Sequence, residues 1–174
     1  MSAILHPITP ALAHVTCDAN LLVRNVEACA EEHTFRSVFA VDGAHPYLYE
    51  NPAIANHVSG TTFVDMGRQL LKAITHLYYG TPLDSRFVLH NVDIEFLRWA
   101  KLGVDIEVMV TVEMAAARRA DAPRTCNAAL VWWQEGHLCA RAESRFTTFS
   151  AALEAKLMSR QYGQSPVDAE LQIA

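Results

Sequence analysis

The stretch His-Val-Ser-Gly-Thr-Thr-Phe-Val-Asp-Met-Gly-Arg-Gln, residues 57–69, gathers one histidine, one carboxylate, one guanidinium and one amide in an otherwise strongly apolar chain. These residue types suit attack on an acyl group. Such chemistry needs a base to activate an incoming hydroxyl or water and N–H donors aimed at the developing oxyanion. Asp65 and His57 are the candidate catalytic groups: Asp65 as base or as the residue that orients the nucleophile, His57 as a proton shuttle near neutral pH. The backbone amides of Gly60, Thr61 and Thr62 open a helix and supply the candidate oxyanion donors, and Gly60 lets a carbonyl approach closely. Arg68 can clamp a carboxylate or phosphate on a substrate, with Gln69 and Asn51 as further candidate substrate-binding residues. The plainer reading of Asp65, Arg68, Gln69 and Lys72 is a solvated helix face laced by i,i+3 and i,i+4 pairs.

These groups need an element to hold them. From Gly60 to Tyr79 the apolar residues Phe63, Met66, Leu70, Ile74 and Leu77 recur at helical spacing, Ser59 stands at the cap position, and Gly80 with Pro82 ends the run. At about 100° per residue, Thr61, Asp65, Arg68, Gln69, Lys72 and His76 fall in one stripe opposite that apolar face. Lys72 and His76 are expected at the surface.

Around this helix the pattern is that of strands. Residues 33–42 alternate with Phe35, Ser37, Phe39 and Val41 on one face, and residues 88–96 place Val88, His90, Val92, Ile94 and Phe96 on one side. Residues 104–114 alternate throughout, and the runs 125–134 and 137–149 flank Glu135-Gly136, a tight hairpin signal. Trp132 and Trp133 point to opposite faces, one into the core and the other toward an acyl tunnel or the sheet's rim. Residues 1–30 read as an arm with a short strand at 21–24, residues 31–160 as one domain, 151–160 as a short surface helix, and 161–174 as a tail. One long helix laid on a curved antiparallel sheet is an α+β layout with the shape of a hotdog fold.

Composition narrows the class of function. A formal charge of −5, with basic residues scattered singly, argues against nucleic acid as partner. Cys17, Cys29, Cys126 and Cys139 form no CxxC pair and read as reduced thiols, which favours a cytoplasmic address. No apolar run approaches a membrane span, and the eight histidines show no HxxxH or HxH spacing, so no metal site is expected.

The stretch 57–69, followed by Tyr-Gly-Thr-Pro-Leu-Asp-Ser-Arg-Phe at 79–87 and preceded by the loop at 45–52, resembles the A-factor biosynthesis (AfsA-type) hotdog domain. The matching positions are His57, Gly60, Asp65, Arg68, Gln69, Gly80, Pro82, Leu83 and Phe87. Two departures stand out: the family's acid is typically Glu where this chain has Asp65, and its founding members look like two hotdog units in one chain. The resemblance implies a homodimer with sites at the subunit contact. It further implies an acyltransferase that moves a β-ketoacyl group onto a small hydroxylated acceptor. The acyl group is carried as a phosphopantetheine thioester on an acyl carrier protein or as a coenzyme A thioester, with no other cofactor. A hotdog thioesterase or dehydratase and a non-catalytic acyl-binding scaffold are the alternatives. Asn51 stands where similar dehydratases carry a catalytic histidine, which counts against dehydration.

Overall fold

A computed structural model describes residues 4–40, 57–116 and 122–162. Its center is α2, Gly60–Tyr79, whose ends are fixed by local chemistry. The Ser59 hydroxyl accepts from the Thr62 amide, and Gly80 closes the helix at φ 63°, a left-handed conformation that a side chain would strain. The expected helix and the observed one coincide.

The strands are β1 (Leu5–Pro7), β2 (Asn25–Ala28), β3 (Thr34–Phe39), β4 (Arg86–Phe96), β5 (Ile106–Met114), β6 (Arg124–Gln134) and β7 (His137–Phe149), with short helices α1 (Pro10–Ala13) and α3 (Ala151–Tyr162). They form one sheet in the order β1-β2-β3-β5-β6-β7-β4, every described pairing antiparallel. Alternation in β5 buries Ile106, Val108, Val110 and Val112. Facing them, α2 buries Phe63, Met66, Leu70 and Ile74. Burying these two apolar faces against each other is the main stabilising term of the fold. Glu135 and Gly136 both adopt positive φ, the two-residue turn whose twist matches the strands of a hairpin.

Two expectations need correction. The first concerns β4, where the pairing with β7 shifts register between Leu89 and Asn91. The extra residue, His90, reverses the parity, so that Phe87 and Leu89, then Val92 and Ile94, turn toward the helix. The inward face is therefore not the continuous series from Val88 to Phe96.

The second concerns the N-terminal segment. Leu21–Arg24 form no strand; β1 and β2 lie on either side of them and extend the sheet edge. Between those strands the chain crosses the polar stripe of α2. Leu22 and Val23 are buried there, and His76, expected at the surface, is 9% exposed. Of the cysteines, Cys126 and Cys139 are buried, whereas Cys17 is exposed; all four are free thiols.

Candidate active site

The first turn of α2 opens onto a hollow of about 330 Å³ lined by His57, Gly60, Phe63, Phe96, Arg98 and Trp99 among others. Its outer wall is the loop after β4. Buried Gln134 holds that loop: its Nε2 donates to the carbonyls of Lys101 and Val104, and its Oε1 accepts from the Lys101 amide. His57 pairs with Lys101 through an isolated bridge, and the Val58 amide donates to the Ala100 carbonyl. The His57 ring meets Trp99 edge-on, centroids 4.2 Å apart.

Gly60 sits where a side chain would not fit. A Cβ added there would lie 3.0 Å from Phe96 Cζ, so glycine brings the backbone close to the hollow. The Thr62 amide is engaged by the Ser59 hydroxyl and carbonyl. The amides of Gly60 and Thr61 find no acceptor among the described residues. Helix geometry leaves such first-turn donors unpaired, and the helix dipole adds partial positive charge. The donor set that can meet an oxyanion is therefore Gly60 and Thr61.

Asp65 lies in a different arrangement. Its Oδ1 accepts from Arg68 Nε at 2.6 Å and its Oδ2 from Gln69 Nε2 at 2.8 Å. Gln69, fully buried, also donates to the Asn20 carbonyl and accepts from the Leu22 amide. Asp65, Arg68 and Gln69 thus form one network that fastens the N-terminal segment onto α2, while His57 stands in the hollow with Gly60. Asp65 lines neither the hollow nor the groove described next. Asn51 lies outside the described residues.

On the far side of Phe63 a second depression, a groove of about 170 Å³, runs between α2 and strands β4, β6 and β7. Its floor includes Gly67, Leu130 and Trp132, and Arg68 and Lys72 also line it. Trp132 is the core member of the tryptophan pair. Burial pushes the Cys126 thiol up to about 12, which removes it as a nucleophile at neutral pH.

The family model for the A-factor biosynthesis hotdog domain (AfsA) matches residues 2–150. The chain belongs to this family. The AfsA-type domain shares its fold with solved structures of low identity. A hot-dog-like protein from Thermanaerovibrio acidaminovorans is 19% identical with TM-score 0.56, covering 75% of this chain and 91% of that one. A putative thioesterase, a phenylacetic acid degradation-related protein from Ralstonia eutropha JMP134, is 21% identical with TM-score 0.50, covering 72% and 82%. No curated protein matches the chain.

Several residues of this AfsA-type domain's hollow and groove escaped sequence reasoning. Phe96 ends β4, and Arg98 and Trp99 follow it in the run Phe-Leu-Arg-Trp-Ala; a tryptophan just past a strand end was the available signal, and the structure leaves it exposed. Gly67 and Leu130 read only as helix and strand interior. Among the described residues no cluster of three metal-ligating side chains forms, and no helix is long and apolar enough to cross a membrane.

Proposed function

We propose that this domain is an acyl-thioester enzyme that transfers a β-ketoacyl group from an acyl carrier protein or coenzyme A to a small hydroxylated acceptor. The observation that carries this reading is the free amide of Gly60, which lines a hollow that also holds His57, with the free Thr61 amide next to it in the first turn of α2. Family membership supports the same chemistry.

In this mechanism the thioester carbonyl oxygen lies over Gly60 and Thr61. His57 removes the proton of the acceptor hydroxyl as its oxygen attacks the acyl carbon, and the two amides hold the tetrahedral oxyanion. When the C–S bond breaks, the same proton passes from His57 to the departing sulfur. An ester and a free thiol result. Asp65, through Gln69, keeps α2 and the N-terminal segment in register and serves as positioning residue; one methylene shorter than the family's usual Glu, it fits this compact network.

The reading includes a homodimer. β4 ends the sheet, and Val88, Leu89, Val92, Phe96 and Trp99 on and beyond it are exposed. An open strand edge with this much apolar surface favours pairing with a second copy.

Hydrolysis is the second reading, favoured by the likeness to a putative thioesterase. Purified protein incubated with acyl thioester, with and without dihydroxyacetone phosphate, separates the two. Transfer predicts thiol release that depends on the acceptor, with the ester detected by mass. Acceptor-independent release of free acid points to hydrolysis, and no release with any thioester overturns both.

A further inference from the structure

The groove beyond Phe63 has features that an ordinary hydrocarbon tail does not require. Its body is apolar, yet Lys72 lines one end and is only half exposed. Arg68 is paired with Asp65 and nearby Arg86 with Glu154, whereas Lys72 has no carboxylate partner among the described residues. Its ammonium lies 5.3 Å from the Phe87 ring centroid, beside the His14 and His76 rings that contact the same phenyl group. Burial first, then Arg68, lowers the Lys72 ammonium to about 8, with the Asp65 charge pulling the other way. A half-buried cation held against an aromatic face, with no carboxylate in contact, favours an entering anionic oxygen.

We propose that this groove receives the distal end of the acyl chain and that Lys72 recognises a carboxylate there, making the preferred substrate a medium-length β-ketoacyl thioester that carries a carboxylate at its far end. The inference rests on the reading that the thioester carbonyl lies over Gly60 and Thr61. Lys72 stands twelve residues beyond Gly60, about 18 Å along the axis, with its side chain leaning back toward the helix start. It therefore meets the far end of a chain, not the reacting carbon. An acceptor's own phosphate, only a few bonds from the attacking hydroxyl, does not reach it. The groove's 170 Å³ compares with the roughly 150 Å³ that holds a benzene molecule, so its share of the chain is roughly six carbons.

The test compares non-hydrolysable amide analogues of octanoyl- and suberoyl-coenzyme A by calorimetric titration. The unaltered protein is expected to bind the carboxylated analogue at least tenfold tighter. Lys72→Met is expected to erase that preference while still binding the octanoyl analogue, and Lys72→Arg to retain it. Equal affinity for the two analogues, or a preference that survives Lys72→Met, overturns the inference and leaves the site at the start of α2 standing. Failure of both analogues to bind overturns the two together.

Discussion

Gln69 accepts the backbone N–H of Leu22 at 2.9 Å, across a separation of 47 residues. The same amide group donates to the Asn20 carbonyl and to Asp65, so one side chain fastens the N-terminal segment to the central helix. Gln69→Leu leaves a buried N–H, a carbonyl and one carboxylate oxygen without that partner. Unfolding in urea is expected to show a loss of roughly 2–4 kcal/mol, with a midpoint well below that of the unaltered protein.

The network also predicts how Asp65→Asn behaves. As a positioning residue, Asp65 acts through Gln69, whose Nε2 donates to its Oδ2 at 2.8 Å, and it also accepts from Arg68 Nε at 2.6 Å on a partly exposed helix face. The substitution is expected to cost about 1 kcal/mol and to lower turnover of a thioester several-fold, with KM rising more than kcat falls. A loss of a hundredfold or more in kcat with unchanged stability, measured beside thermal melting, would assign Asp65 a direct part in the chemistry.

Gly60→Ala places a methyl 3.0 Å from Phe96 Cζ. Phe96 is half exposed and free to swing, so the stability change is expected to stay under about 1 kcal/mol. Turnover is expected to fall at least tenfold because the methyl and the displaced ring enter the hollow. Phe96→Ala in the same chain is expected to recover part of it, as steady-state kinetics on the double variant will show.

A pair of histidines contributes to the acid limb of stability. His76 donates through Nδ1 to the Thr81 carbonyl at 2.7 Å, so its Nε2 carries the lone pair and accepts from His14 Nε2–H at 2.8 Å. Desolvation, then Lys72, His76, Arg68 and Arg86, hold His14 down at about 4 against an ordinary 6.5; burial lowers His76 as well. The unfolded chain thus binds more protons between these values, and folding stability falls as pH drops from 6.5 toward 4 and is flat above 6.5 from this source. His14→Phe is expected to flatten that slope, followed by urea midpoints across the range.

How much of this the sequence revealed depends on the reach of each interaction. The limits of α2 were legible because Ser59 and Gly80 act on adjacent residues, and the β6–β7 turn because Glu135 and Gly136 carry its positive φ values. The fate of the polar stripe was not. Gln69 and His76 look like surface residues by periodicity, but their partners Leu22 and His14 arrive from far along the chain. The inward face of β4 was hidden by one inserted residue at its bulge. Of the candidate site, His57 and Gly60 were legible and do share a hollow. The walls supplied by Phe96 and Trp99 depend on how the loop folds back, which no local pattern encodes.

The structure of the protein bound to a non-hydrolysable acyl-amide pantetheine tests the central claim most directly. The account predicts the acyl oxygen at about 2.7–3.1 Å from the Gly60 and Thr61 amide nitrogens, with the His57 ring beside the acyl carbon. An acyl oxygen bound away from the start of α2, with those two amides left to solvent, would contradict it.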